Sequence, residues 1–284
     1  MNSKEPIFYL NGKFVPKSKA IVSVYDLGWV RGYGVFDYII TYDGGKPFMM
    51  MNHLNRLKRS AELIGLKLPF TQERLQQIIV RVLKKNRNGK EKSIRIVVTG
   101  GVSENTLTVP KKPTLAILVN DRKPYPIDFY KKGIKVIIYD YNRESPQAKS
   151  LNYIHGVKAM NLAAREDAYE AIYVNKKADR VYEATTSNLF LVKNKKVVTP
   201  NGDTLPGITR ELIIKISSKF FPTQVREVKI KELYDANELF ITASNKEIMP
   251  VVKVDNKVIG KGIPGEVTKK IMSEFRKFVD SGNW

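Results

Sequence analysis

The stretch Val181-Tyr182-Glu183-Ala184-Thr185-Thr186-Ser187-Asn188-Leu189-Phe190 sets a single carboxylate at the head of a small polar turn and then re-enters an apolar run. Val197-Val198-Thr199 follows, and five residues later comes Leu205-Pro206-Gly207-Ile208-Thr209-Arg210, a glycine placed at the start of an amphipathic segment. Upstream stands Ala148-Lys149-Ser150-Leu151-Asn152-Tyr153. Each piece has a plain chemical use. A lysine amine can condense with a carbonyl, a carboxylate can keep a ring nitrogen protonated, and a helix start offers free N–H groups to a phosphate. Any one alone is weak; their order along the chain is informative.

Composition narrows the rest. The chain has 284 residues, 43% of them hydrophobic, with 14 Tyr and 12 Phe, enough for a packed core of one large or two smaller domains. It contains no cysteine, which removes disulfides, thiolate metal sites and cysteine nucleophiles. Only His53 and His155 are available, so no metal site is expected and a Ser–His triad has little to draw on. No apolar run reaches the ~18 residues of a membrane span, and Met1–Lys19 lacks the apolar core of a signal peptide. These features predict a cytoplasmic protein with no membrane partner. The formal net charge of +21 is shared by both halves of the chain. A basic nucleic-acid-binding surface is one reading of that charge. No helix-turn-helix, RNA-binding or zinc-finger pattern accompanies it, so a solvated basic surface is the simpler reading and no nucleic-acid partner is expected.

Periodicity sketches two domains. Phe8–Val15 reads as a hairpin closed by Asn11-Gly12, and strands Val35–Tyr42 and Lys46–Met49 flank a turn at Asp43-Gly44-Gly45. Met51, Leu54, Leu57, Ala61 and Ile64 mark a helix that Gly65 ends. Thr71 caps a second, with Leu75, Ile78, Ile79, Val82 and Leu83 on its buried face. Strands Ser93–Thr99 and Thr114–Val119 complete a small α+β domain over 1–119. Residues 120–130, with Pro124 and Pro126, read as a linker. A larger domain over 131–284 holds strand Lys135–Tyr139, helix Tyr153–Asp167, and strands Ala171–Val174, Asn188–Val192 and Val197–Thr199. A helix from Gly207, strand Glu238–Thr242, a hairpin around Asp255–Lys257 and a last helix opened by Pro264 follow.

The Glu183–Phe190, Val197–Thr199 and Leu205–Arg210 series resembles the signature of fold-type IV (class IV) aminotransferases. That family uses pyridoxal 5'-phosphate and includes branched-chain aminotransferases, D-amino-acid aminotransferases and aminodeoxychorismate lyases. The resemblance runs from about Phe8 to Phe278. The five residues between Thr199 and Leu205 are slightly fewer than the family pattern, which shortens a loop. The resemblance implies a two-domain α+β fold with a β-barrel-like core in the larger domain, and a homodimer. It makes Lys149 the Schiff-base lysine that also carries the substrate proton, its amine rendered partly neutral by burial and by the cationic cofactor. Glu183 becomes the partner of the pyridine nitrogen, with Asn188 shaping its turn. Leu205 packs on the ring, while Gly207, Ile208 and Thr209 form the phosphate cup, joined by Arg56, Ser244 and Asn245. Tyr153 donates to the phenolic oxygen.

The same resemblance moves substrate choice to the first domain. Arg31, in Arg31-Gly32-Tyr33-Gly34-Val35-Phe36-Asp37, is a candidate for a substrate carboxylate, within its own site or across a dimer interface. Phe36 would line the side-chain pocket, and Arg95 would meet the distal carboxylate of 2-oxoglutarate if its strand turns it inward. The D-amino-acid enzymes carry an Arg-x-His pair where this chain has Asn105 and Leu107. The expected reaction is amino transfer between an amino acid, such as a branched-chain one, and a 2-oxoacid such as 2-oxoglutarate. A D-amino-acid enzyme using Arg31, and a lyase releasing pyruvate from aminodeoxychorismate, remain open because they share the same motifs.

Overall fold

The computed structural model describes residues 5–284, so Met1–Lys4 of the N-terminal stretch read above lie outside the described residues. The chain divides into two compact units. One takes the chain up to Lys123, the short segment Gln147–Asn152 and the terminal Trp284; the other takes Pro124–Pro146 and Tyr153–Asn283. Among the described residues no helix is long and apolar enough to cross a membrane.

The first unit opens with β1 (Ile7–Leu10) and β2 (Lys13–Pro16), joined by Asn11 and Gly12 at φ 44° and 95°. That is the positive-φ pair a two-residue hairpin requires. The short helix α1 (Leu27–Arg31) starts on an Asp26 cap and ends at Gly32. β3 (Gly34–Tyr42) and β4 (Lys46–Pro47) follow, then α2 (Met50–Leu63) and α3 (Gln72–Lys85). Thr71 Oγ1 accepts from Arg74 N, a cap worth about 1 kcal/mol. β5 (Lys92–Thr99) and β6 (Thr114–Asp121) finish an antiparallel sheet of order β2-β1-β6-β5-β3-β4. Alternation sends Val35 and Ile39 of β3 and Ile94, Ile96 and Val98 of β5 against the apolar stripes of α2 and α3. The intervening residues of β3 and β5 face the other way.

The second unit holds α4 (Ile127–Lys131), β7 (Ile134–Asp140), α5 (Ile154–Arg165), β8 (Glu170–Asn175) and β9 (Arg180–Ala184). β10 (Asn188–Lys193), β11 (Lys196–Pro200), α6 (Ile208–Ser217), β12 (Thr223–Arg226) and α7 (Ile230–Tyr234) come next. The last elements are β13 (Glu238–Ala243), β14 (Glu247–Val254), β15 (Lys257–Val258) and α8 (Glu266–Asp280). Its sheet runs β12-β11-β10-β13-β14-β7-β8-β9, with β15 on β14, and the β12–β11, β14–β7 and β7–β8 pairs are parallel. The sheet curls as a half-barrel round a core that includes Val136, Ile172, Leu189, Leu239, Ile241 and Met249.

Three sequence expectations change. The expected linker over 120–130 is shorter than that range: the units divide between Lys123 and Pro124, β6 runs to Asp121, α4 starts at Ile127, and Tyr125 and Phe129 pack on the second unit's core. The segment Gln147–Asn152 belongs to the first unit, which no composition shift announces. Pro264 does not open α8, because Gly265 is its N-cap and Glu238 supplies the cap from a distance. Its carboxylate accepts from Val267 N at 3.1 Å, Thr268 N at 2.7 Å and Thr268 Oγ1 at 2.6 Å, satisfying first-turn donors no neighbouring side chain reaches. β14 escaped the pattern because Pro250 lies within it and proline argues against an interior strand. It stands just ahead of the register irregularity between Val251 and Lys253 in the β14–β7 pairing.

Candidate active site

In the first unit, Lys149 is fixed by its backbone. Its N–H donates to Ser60 Oγ at 3.0 Å, and its carbonyl accepts from Phe36 N at 2.9 Å. Leu151 N donates to Gly34 O at 2.9 Å, so the segment lies along the start of β3. The Lys149 Nζ stands 4.6 Å from the Phe36 ring centroid. Tyr38 shares the Phe36 side of β3, and Arg95, its register partner on β5, holds its guanidinium 5.8 Å from both rings. The direction of Arg95, open in the sequence, is therefore toward the face carrying Phe36, Tyr38 and the Lys149 amine.

Asp37 points the other way, into a fully buried cluster. Arg56, assigned by resemblance to the phosphate, donates from Nε to Asp37 Oδ2 at 2.9 Å and from NH2 to Oδ1 at 2.8 Å. His53 Nδ1 lies 2.6 Å from Oδ1. Burial alone would raise the Asp37 pKa, but the charges of Arg56 and His53 outweigh it and hold the carboxyl well below the usual range. Burial pushes the His53 imidazole below its ordinary value, against the pull of Asp37 and with added repulsion from Arg56 and Lys149. With Asp37 ionised and able only to accept, Nδ1 is the donor in this contact.

Arg31 serves a loop. Nε donates to Thr106 O at 3.1 Å, NH2 to Thr106 Oγ1 at 2.9 Å and NH1 to Val30 O at 3.2 Å. In that loop Asn105 Oδ1 accepts from Leu107 N and Thr108 N, so its amide organises the turn, while the Leu107 side chain is exposed.

In the second unit, Glu183 ends β9 as a buried, fully engaged carboxylate. Arg143 NH1 donates to Oε1 at 2.7 Å; Asn188 Nδ2 and Leu205 N donate to Oε2 at 2.9 and 3.0 Å. Burial opposes the charge of Arg143, yet Glu183 and the nearby Tyr153 raise its pKa above the usual value. Asn188 also donates to Leu205 O at 2.9 Å, so one amide spaces the Glu183 turn from the loop before α6. Gly207 is the N-cap of α6 and brings no capping side chain, leaving the first turn, with Ile208 and Thr209, to present its N–H groups. Arg210 turns back onto the end of β11, donating to Thr199 Oγ1 at 3.0 Å and Pro200 O at 2.7 Å, which joins two pieces of the sequence signature. Tyr153 is the N-cap of α5. Ser244 and Asn245 form the turn after β13, where Asn245 Nδ2 donates to Tyr125 Oη at 2.7 Å. Arg143 was missed in the sequence because an arginine 40 residues from its glutamate leaves no local signal.

These halves have counterparts in known proteins. The Amino-transferase class IV family pattern matches residues 34–254. The chain belongs to the class IV aminotransferases. A candidate branched-chain-amino-acid aminotransferase of Methanocaldococcus jannaschii is 37% identical over 278 residues, 94% of each chain. The D-alanine aminotransferase of Staphylococcus epidermidis is 33% identical, covering 96% of this chain and 98% of its own. Escherichia coli branched-chain amino acid aminotransferase superposes with a TM-score of 0.90 at 27% identity, covering 96% of this chain and 94% of that one. The fold is thus that of fold-type IV aminotransferases, and the chain is an aminotransferase. Class IV aminotransferases depend on pyridoxal 5'-phosphate. The donor set of the second unit fits such a group: a hydrogen-bonded carboxylate suits a protonated ring nitrogen, and an uncapped helix start suits a phosphate.

Proposed function

We propose that this aminotransferase holds pyridoxal 5'-phosphate on Lys149 and passes an amino group between a branched-chain amino acid and 2-oxoglutarate, as a homodimer in the cytoplasm. The cofactor supplies an electron sink for the substrate's α-carbon. In this reading the Lys149 amine moves the proton at that carbon, and Glu183, held by Arg143 and Asn188, keeps a proton on the ring nitrogen. Ile208, Thr209, Ser244 and Asn245 bind the phosphate, and Arg56 is a further candidate for it. Leu205 packs on the ring and Tyr153 donates to its phenolic oxygen.

The observation that carries the substrate reading is the wall of Phe36, Tyr38 and Arg95 on the face over which the Lys149 amine lies. Two aromatic rings suit an aliphatic side chain; one guanidinium beside them suits the distal carboxylate of the alternate substrate. Asn105 and Leu107, in place of a cationic pair, favour this over a D-amino-acid substrate. Exposed Ile21, Val24, Tyr25, Trp29 and Leu107 support a second copy covering that part of the first unit.

The test is direct. Borohydride reduction of the protein with pyridoxal 5'-phosphate should add the cofactor's mass to the peptide bearing Lys149, and Lys149→Ala should abolish it. Presenting L-leucine, L-glutamate, D-alanine and D-glutamate separately should convert the bound cofactor only with the L-acids. Conversion by the D-acids alone, or pyruvate release from aminodeoxychorismate with no conversion, would overturn the substrate assignment.

A further inference from the structure

A buried ion pair in the second unit takes no part in the chemistry described above. Lys246, 4% exposed, sets Nζ 2.6 Å from Glu170 Oε2, 2.6 Å from Thr186 Oγ1 and 2.8 Å from Ser187 Oγ. Glu170, 0% exposed, accepts at Oε1 from Thr186 N and Thr186 Oγ1, and at Oε2 from Ser187 Oγ. Each hydroxyl accepts from the ammonium and donates to the carboxylate, so the three ammonium protons and both hydroxyls are satisfied. The Tyr169 ring covers Nζ at 5.3 Å.

Stability is a poor reason for such a pair. Desolvating two charges costs several kcal/mol per ion, and well-packed apolar residues of similar volume often do as well or better. Location is a better reason. Thr186 and Ser187 lie inside the turn between Glu183 and Asn188, while Lys246 directly follows Ser244 and Asn245. The β10–β13 ladder already aligns Asn188 with Thr242, but both turns project past that register. The ion pair joins them there.

We propose that Lys246 and Glu170 are positioning residues that lock the Glu183–Asn188 turn to the Ser244–Asn245 turn. They thereby fix the span between the carboxylate that meets the ring nitrogen and the turn that meets the phosphate. The inference rests on the proposed function, because it takes Ser244 and Asn245 as phosphate contacts.

Apo-protein titrated with pyridoxal 5'-phosphate and, separately, with pyridoxal, which lacks the phosphate, tests this. Lys246→Met should weaken binding of the phosphorylated compound about 10-fold or more, the scale of one lost charge-assisted contact, and leave pyridoxal within about 2-fold. Lys246→Arg, which keeps charge and donors, should recover most of the loss. The double variant Lys246→Met/Glu170→Met removes both buried charges and should melt above Lys246→Met, which leaves Glu170 without its counter-charge, while still binding the phosphorylated compound weakly. Equal losses for both compounds, or a changed melting temperature with unchanged affinities, would overturn the positioning role. Wild-type protein that takes up no pyridoxal 5'-phosphate would overturn the functional reading itself, and this inference with it.

Discussion

A Cβ placed on Gly207 would stand 1.9 Å from Oδ1 of Asn188. The backbone at the start of α6 thus closes directly on the amide whose other end donates to Glu183. Gly207 has φ −75°, so space rather than backbone freedom demands the glycine. Gly207→Ala must push Asn188 away, at a cost of about 1–3 kcal/mol by the usual scale of overpacking. Both a lower melting temperature and weaker cofactor binding are expected; a variant with wild-type affinity would show that the contact relaxes without disturbing Glu183.

Arg143 should set the basicity of Glu183. Removing a cation 2.7 Å from Oε1 takes away a charge-assisted bond, while Asn188 and Leu205 N still donate to Oε2. Opposite charges at this range lower carboxyl pKa values by roughly 1–3. Arg143→Met should therefore move the pH at which the bound cofactor's absorbance titrates upward by about one unit or more. An unmoved titration would assign Arg143 a packing role only.

Stability should fall on the acid side of neutrality through His53. Its folded value lies below the ordinary 6.5 because burial disfavours the charged ring. The unfolded chain takes up this proton first, so the stability is full above pH ~6.5 and declines as pH drops from there toward the folded value. Melting temperatures from pH 8 to 5 should show that decline, and His53→Gln should flatten it. Asp37 follows the same sign further down, its stability present above the ordinary carboxylate value and lost as pH falls through its depressed one. At neutral pH, Asp37→Asn removes the counter-charge of the buried Arg56 guanidinium and should cost about 3–5 kcal/mol.

Arg95→Leu separates the two substrates. Loss of the guanidinium should raise KM for 2-oxoglutarate about tenfold or more, with the KM for an aliphatic 2-oxoacid nearly unchanged. A proportional change for both would mean that Arg95 only steadies Phe36 and Tyr38.

Much of the framework is readable locally. Asn11-Gly12 predicts its hairpin because positive φ at both positions is a property of those two residues. Thr71 predicts its cap, and the stripes of α2 and α3 predict the faces they bury. β14 was hidden because Pro250 removes the expected signal, although the residues around it are buried on both sides by β13 and β7.

By itself the sequence determined the family, and with it the reaction class, because the Glu183–Phe190 and Gly207–Arg210 pieces are short-range patterns whose order survives without coordinates. Only the tertiary structure decided which groups tune those pieces. Arg143 meets Glu183 across 40 residues, Lys246 meets Glu170 across 76, and Glu238 caps a helix about 30 residues away. Such pairs follow from strand register and sheet curl, which arise from long-range packing and leave no period in the sequence. The side on which Arg95 emerges belongs to the same class: alternation specifies two faces, and packing against α2 and α3 selects which one is buried.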